Sequence, residues 1–191
     1  MTGRGSSLAS ALTALGFALG QVAAQSAYYP QTLGWSWTYS NGATQTITGT
    51  RELAGLTAVV LTHSFRGVPV SEDYLDYSNG VRLLGTGVGG SINTYDPPLL
   101  LFPPAPLQVG MRWSTTSAAS DGTTLVISIS VTGVQGLRTP VGTYNALVIR
   151  STVSTSSGAA SVVNSFFVPA VGTVRYVTSD GGTIDLIEMG R

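Results

Sequence analysis

Few residues of this chain could do chemistry, and their types exclude many reactions. The 191 residues include one histidine and no cysteine, and all nine basic residues are arginine. Thiol nucleophiles, disulfides, cysteine-ligated metals and multi-histidine metal sites are therefore excluded. The formal net charge is zero and 9% of the residues are charged, so the chain lacks the basic surface that binds nucleic acid. We expect no cofactor, no metal site and no nucleic-acid partner.

The single histidine, His63, is the one side chain that could act as the base of a Ser-His-Asp hydrolase. It lies in the run Leu61 to Phe65, which is predicted to be a strand, and the chain contains no Gly-x-Ser-x-Gly nucleophile elbow. An outward-facing or groove-lining strand residue is the favoured interpretation. We therefore expect no enzyme activity, with a hydrolase that uses His63 as an alternative.

Glu72, Asp73 and Asp76 form the one acidic cluster of the sequence. Paired carboxylates could act as general acid and base, or could bind a hard cation, although calcium needs more oxygen ligands than two. In a strand, Glu72 and Asp76 share a face and Asp73 points to the other. The cluster is typical of a solvated strand or hairpin shoulder.

An apolar, proline-rich segment spans residues 95–107 and contains five prolines. Because proline cannot donate to a β-ladder, we expect no central strand or helix here. Two interpretations stay open: a crossover that packs its apolar residues into the core, or the apolar lip of a ligand-binding groove. On the second interpretation, the candidate ligand-binding residues are Leu99, Leu100, Leu101, Phe102 and Trp35.

The elements that must position these residues are strands. Short runs rich in β-branched residues recur along the chain with turn signals between them. Leu125 to Val131 alternates apolar and polar residues, and Asn41-Gly42 and Asp121-Gly122 are hairpin turn signals. About a dozen strands and no convincing helix are predicted after residue 25.

The two halves of the chain share a pattern. Pro30 to Trp37 and Pro106 to Trp113 both read Pro-x-x-aliphatic-Gly-x-x-Trp. Proline and glycine turn the chain, and the tryptophan then enters a strand and points inward. We expect one β domain, residues 25–191, built from two related β-meanders at about 28–95 and 104–191.

The first 24 residues have the pattern of a secretory signal peptide. Arg4 precedes an apolar run from Leu8 to Leu19, and the small residues Val22 and Ala24 precede the expected cleavage site. An N-terminal membrane anchor is the alternative. No later segment is apolar enough to span a membrane, so we expect an extracytoplasmic chain, periplasmic or secreted, without an integral span.

Several motifs of this chain resemble motifs of a known group of proteins. The Tyr-Pro-x-x-Leu-Gly-x-x-Trp-x-Tyr signature of residues 29–39, with Trp35 where asparagine is usual, resembles the start of uncharacterised secreted bacterial β-proteins. The elements at 106–113, 140–146 and 167–176 are also similar to theirs. The resemblance implies an antiparallel curved sheet that forms an open or half barrel, similar in outline to LolA/LolB-like lipoprotein carriers. It brings no catalytic residues.

The favoured function is a non-catalytic, extracytoplasmic binding or carrier protein for an apolar or lipid-linked ligand, held in the concavity of the sheet. A structural or adhesive module of the cell envelope is the alternative, and the hydrolase is the second alternative. A lipid or envelope component is the expected partner, and the sequence does not specify an oligomeric state.

Overall fold

The computed structural model describes residues 28–191, so the predicted signal peptide and its cleavage site lie outside the described residues. This part of the chain folds into twelve β-strands, and it contains no helix long and apolar enough to cross a membrane. The strands are β1 (Ser36–Tyr39), β2 (Ala43–Leu53), β3 (Leu56–Phe65), β4 (Val68–Asp76), β5 (Val81–Val88), β6 (Ser91–Phe102), β7 (Arg112–Ala119), β8 (Thr124–Thr139), β9 (Gly142–Thr155), β10 (Ala160–Val168), β11 (Gly172–Val177) and β12 (Thr183–Gly190).

The strands form a closed barrel in which each strand pairs with its neighbours in sequence, and every pairing is antiparallel. The prediction of an all-β antiparallel fold is confirmed, but the prediction of an open or half barrel is wrong. β1 pairs with β12, which places Ser36 opposite Gly190, 154 residues away. This pairing leaves no free sheet edge. A local sequence pattern could not predict it, because the two strands are far apart in the chain.

Successive turns lie at opposite ends of the barrel because the strands alternate in direction. We call the end that carries the β2–β3, β4–β5, β6–β7, β8–β9 and β10–β11 connections the lower end. The segment before β1 and the C-terminus of β12 also lie there. The upper end carries the remaining hairpins, among them the turns predicted at Asn41-Gly42 and Asp121-Gly122.

The proline-rich segment is a strand for much of its length, so the prediction that residues 95–107 hold no central strand is wrong. β6 continues through Pro97 and Pro98 to Phe102. The missing N–H groups of the two prolines fall where the β5–β6 ladder is interrupted, since its register jumps from Leu99 to Thr94. Proline is tolerated at such an irregularity.

Side chains complete the junction between β6 and β7. These two strands pair through Tyr95–Ala119 and the adjacent residue pair. Nearer the lower end, Nε1 of Trp113 donates to the carbonyl of Leu100 (3.2 Å), and the N–H of Leu100 donates to Oγ1 of Thr115 (3.4 Å). Backbone groups that lack a ladder partner are therefore satisfied by side chains.

The first strand of each half begins in the same way. Gly34 and Gly110 both have positive φ, 81° and 91°. Gly34 donates its N–H to the carbonyl of Ile47, and Gly110 donates to the carbonyl of Val131, each over 2.8 Å. Trp37 and Trp113 follow three residues after these glycines.

The ladders formed by the following strands also shift register at corresponding places in the two halves. The β2–β3 ladder shifts register between Ile47 and Gly49, and the β8–β9 ladder shifts between Val131 and Gly133. The β4–β5 ladder shifts at Tyr74/Leu75 and the β10–β11 ladder at Phe166/Phe167. These correspondences support the prediction of two related halves, which stays a prediction.

Apolar side chains fill the barrel and cover part of one outer face. Two large clusters centre on Phe167 and Trp37. A third, smaller cluster contains Ala58, Val60, Tyr74 and Leu84, and alternation places the first two on the opposite face of β3 from Leu61. The first half of the sheet is therefore packed on both faces.

Candidate functional site

A cavity of about 190 Å³ lies inside the first half of the barrel. Its walls come from β1 to β6, from β11 and from the segment before β1. Most of the lining side chains are apolar or aromatic, and the polar members are confined to a few positions. The lining residues are Tyr29, Trp37, Gln45, Ile47, Leu61, His63, Asp73, Leu75, Tyr77, Val81, Leu101, Phe102 and Tyr176.

Strand alternation and register bring the polar residues together. Leu61 and His63 point to the same face of β3 because they are two residues apart. The β2–β3 register places Ile47 opposite Leu61 and Gln45 opposite His63. The β3–β4 register places Asp73 opposite Leu61, and the imidazole and carboxylate then meet diagonally across the two strands.

His63 and Asp73 form an ion-pair geometry inside the barrel. Nε2 of His63 lies 2.8 Å from Oδ2 of Asp73, and the two side chains are 26% and 25% exposed. Oγ1 of Thr86 donates to Oδ1 of Asp73 (3.2 Å), and Oη of Tyr95 donates to Oγ1 of Thr86 (3.3 Å). Because an ionised carboxylate only accepts hydrogen bonds, the Nε2–H of His63 is the donor. The carboxylate is thus held from both sides but remains accessible.

Two phenols of the cavity, those of Tyr77 and Tyr29, are held in their neutral form. Burial raises the pKa of Tyr77, and the negative charge of Asp73 raises it further. Burial also raises the pKa of Tyr29, with a smaller contribution from Tyr176. A neutral phenol can donate a hydrogen bond, so the cavity holds phenolic donors as well as the carboxylate acceptor.

Aromatic rings close the cavity toward the lower end of the barrel. Tyr29 lies with its ring centroid 6.0 Å from both Trp37 and Phe102. Phe102 in turn packs 4.8 Å from Phe167 and 5.4 Å from Tyr28. Stacked, tilted and edge-on contacts at these distances are favourable for aromatic pairs. This end of the cavity is therefore a contiguous aromatic wall.

The five predicted ligand-binding residues lie in four different environments. Leu101 and Phe102 line the cavity, whereas Leu99 is fully buried in the core beside it. Leu100 pairs with Arg82 across the β5–β6 ladder and is outside the cavity lining. Trp35 packs edge-on against Trp37 with centroids 6.5 Å apart, and its buried Nε1 has no hydrogen-bond partner. Binding by these five residues stays a prediction.

Sequence reasoning considered His63 and Asp73 separately and did not single out Gln45 or Tyr77. Period-2 alternation indicated that Asp73 faces away from Glu72, and in the structure Glu72 instead accepts a hydrogen bond from Tyr74 (2.6 Å). The signal that was missing is register, since only the pairing of β3 with β4 brings His63 to Asp73.

The arrangement does not reproduce the order of an acyl-transfer triad. In such a triad a hydroxyl contacts the imidazole and the carboxylate orients it. Here the hydroxyl of Thr86 contacts Asp73, and His63 has Asp73 as its hydrogen-bond partner. Among residues 28–191, no group of three or more histidine, cysteine, aspartate or glutamate side chains could hold a metal ion.

The second half of the barrel lacks a comparable pair at the matching positions. Ile47 and Val131, at the matched irregularities of β2 and β8, pair with Leu61 and Ile149. Two residues further along each partner strand lie His63 in β3 and Ser151 in β9. The matched irregularities of β4 and β10 begin at Tyr74 and Phe166. The residues directly before them are Asp73 and Ser165. The second half therefore has serines where the first half has His63 and Asp73.

The sequence matches no protein-family model and no curated protein. Two solved structures are similar in part. A candidate lipoprotein from Parabacteroides distasonis has 12% identity and a TM-score of 0.47, and a candidate exported protein with YmcC-like fold from Bacteroides fragilis has 10% identity and a TM-score of 0.45. Each alignment covers 87% of this chain and 100% of the other. Such likenesses assign neither family nor function, and the resemblance to LolA/LolB-like carriers stays a prediction.

Proposed function

We propose that this chain is an extracytoplasmic, non-catalytic binding protein that holds a small, mainly apolar molecule in the cavity inside the barrel. The observation that carries the proposal is the cavity itself: an aromatic and aliphatic wall with a few polar groups gathered at His63 and Asp73. Binding sites for small molecules have this composition, in which apolar walls supply affinity and a few polar groups supply orientation.

The volume of the cavity favours a small ligand. A buried apolar cavity of about 150 Å³ is large enough for benzene, and the present cavity is about 190 Å³. Sites for drug-sized molecules are usually above about 300 Å³. The size therefore supports a compact ligand with a short apolar body, and a complete lipid chain would need the barrel to open.

The proposed location rests on the N-terminal sequence. Arg4, the apolar run from Leu8 to Leu19 and the small residues before position 25 have the order of a secretory signal. An export assay with these residues fused to a reporter tests this part of the proposal.

A size series tests the binding function. We expect benzyl alcohol to raise the melting temperature saturably, because a ligand that binds the folded state alone stabilises it. Dodecanol should give no saturable shift, because its chain exceeds the cavity. Calorimetric titration gives the affinities, and binding of neither compound would favour the alternative, a structural or adhesive envelope module.

A matched pair of variants locates the site. Gln45→Phe places a ring in the cavity and should weaken benzyl alcohol binding by about tenfold or more. Thr44→Phe introduces the same ring one residue earlier, on the opposite face of β2, and should leave the affinity unchanged. Equal affinities in the two variants would place binding outside the cavity.

A further inference from the structure

The cavity lining contains a carboxylate but no permanently charged cation. Asp73 supplies its one carboxylate, and no arginine or lysine is among the thirteen lining residues. His63 is the nearest group that can carry positive charge. The carboxylate of Asp73 therefore has no guanidinium or ammonium partner among the lining residues.

Two other carboxylates of the described chain, those of Asp76 and Asp185, are paired with arginine side chains. Asp76 accepts hydrogen bonds from the guanidinium of Arg82, including one of 2.8 Å from Nε. Asp185 is paired with Arg175, whose Nη2 lies 2.9 Å from Oδ2. A guanidinium is charged at all ordinary pH values, so these two carboxylates are permanently neutralised. Asp73 is the one of the three whose partner is a histidine.

The oxygens of Asp73 can accept more than they do. Oδ2 receives the hydrogen bond from His63 and Oδ1 receives the one from Thr86. Two carboxylate oxygens offer about four acceptor positions, and the side chain is one quarter exposed. A donor that enters the cavity can therefore reach this carboxylate.

The wall that faces this charge is aromatic. Tyr29, Trp37 and Phe102 form one contiguous set of rings, and Tyr77 and Tyr176 complete the lining. Aromatic faces attract cations through the ring quadrupole, and cages of such rings recognise ammonium groups. A carboxylate with aromatic walls is thus complementary to a cation that carries an apolar body.

We infer that the ligand of this cavity is a small organic cation, an amine or ammonium compound whose charged nitrogen contacts Asp73 and whose apolar part lies against the aromatic wall. The inference rests on the proposed binding function and names its ligand class. An anionic ligand is disfavoured, because it would bring a second negative charge beside Asp73 without any guanidinium or ammonium to offset it. A neutral ligand fits the wall but leaves the carboxylate without a charged partner.

Three compounds of one shape test the charge preference: benzylamine, benzyl alcohol and benzoate. In calorimetric titrations at about pH 8, a simple alkylamine is charged and a simple carboxylic acid is ionised. We expect benzylamine to bind about tenfold or more tightly than benzyl alcohol, and benzoate to bind most weakly. Benzyl alcohol binding as well as benzylamine, or benzoate binding best, would overturn the inference and leave the binding function standing. If none of the three binds, the binding function fails with it.

Variants assign the preference to one carboxylate. Asp73→Asn should remove the advantage of benzylamine over benzyl alcohol while benzyl alcohol still binds. Glu72→Gln removes the neighbouring carboxylate on the other face of β4 and should keep the advantage. An advantage that survives Asp73→Asn contradicts the assignment, and the wild-type series decides the charge preference by itself if Asp73→Asn does not fold.

Discussion

Asp76 shows how a carboxylate is used as a structural group in this chain. It ends β4, accepts hydrogen bonds from the backbone N–H of Ser78 (2.9 Å) and from its hydroxyl (3.0 Å), and is paired with Arg82 on β5. An aspartate that bonds to the backbone two residues on stabilises a turn. Burial alone would raise the pKa of Asp76, but the hydrogen bonds from Ser78 and Arg82 outweigh burial and hold it below the ordinary value.

Asp76→Asn should lower the free energy of unfolding at pH 7 by about 1.5–3 kcal/mol, the usual value of hydrogen bonds to a charged group. A lowered pKa in the folded state stabilises the protein above the unfolded carboxyl pKa of about 3.9, and this stabilisation is lost as the pH falls through the folded-state pKa. The difference between wild type and variant should therefore shrink as the pH is lowered from about 5 toward 2. Urea unfolding of both proteins at several pH values measures this difference in the free energy of unfolding.

The matched control is Glu188→Gln, which changes an exposed carboxylate on β12. It should alter stability little at any of these pH values, because surface charges contribute little. A cost for Asp76→Asn that is the same at pH 3 as at pH 7 would contradict the role assigned to its charge.

At the scale of elements, the β4–β5 turn is docked against the end of β6. Gly80 has a φ of +83°, and a Cβ there would lie 2.3 Å from the carbonyl oxygen of Phe102 and 2.9 Å from the carbonyl carbon of Pro103. Backbone therefore touches backbone at this point, where a side chain cannot move aside. Since Phe102 also lines the cavity, this contact helps to set the position of the cavity wall.

Gly80→Ala should be more destabilising than Gly67→Ala, and the pair separates two effects. Gly67 lies in the β3–β4 turn with a φ of +80° and has nothing within 4 Å of an added Cβ. Its substitution measures the strain of positive φ alone, about 1–2 kcal/mol. Gly80→Ala adds the clash with β6 and should exceed this value clearly in urea unfolding. Equal costs for the two variants would mean that the docking of the turn contributes nothing.

At the scale of the whole molecule, the contact between the first and last strands decides that the sheet is a barrel. Leu186 on β12 is fully buried and pairs with Tyr39 on β1. Tyr39 also donates its hydroxyl to the carbonyl of Thr173 on β11 (3.0 Å). The closing strand is therefore held by packing and by a buried hydrogen bond as well as by the ladder.

Leu186→Ala should reduce the free energy of unfolding by about 2–5 kcal/mol, the range for a leucine removed from a packed core. Ile187→Ala truncates the next residue of the same strand, whose side chain is 41% exposed, and should cost clearly less. Chemical unfolding of the two variants compares them directly. If the exposed position proved as costly as the buried one, the closure would not depend on the interior packing described above.

The candidate site shows which structural features local sequence patterns can predict and which they cannot. The run around His63 was correctly predicted as a strand, and alternation correctly separated Asp73 from Glu72. The pairing of His63 with Asp73 was not predicted, because a strand pattern does not contain its own register. Pro97 and Pro98 misled the prediction for β6, because proline breaks a regular ladder but not one that is already interrupted.

The sequence by itself determined the all-β antiparallel class and many of the turns, because side-chain alternation and positive-φ residues act over a few residues. It also determined that cysteine chemistry and multi-histidine metal sites are excluded. Only the tertiary structure decided that the barrel closes and that an imidazole and a carboxylate meet inside it. Both depend on contacts between strands, whose free energy comes from packing that no local segment contains.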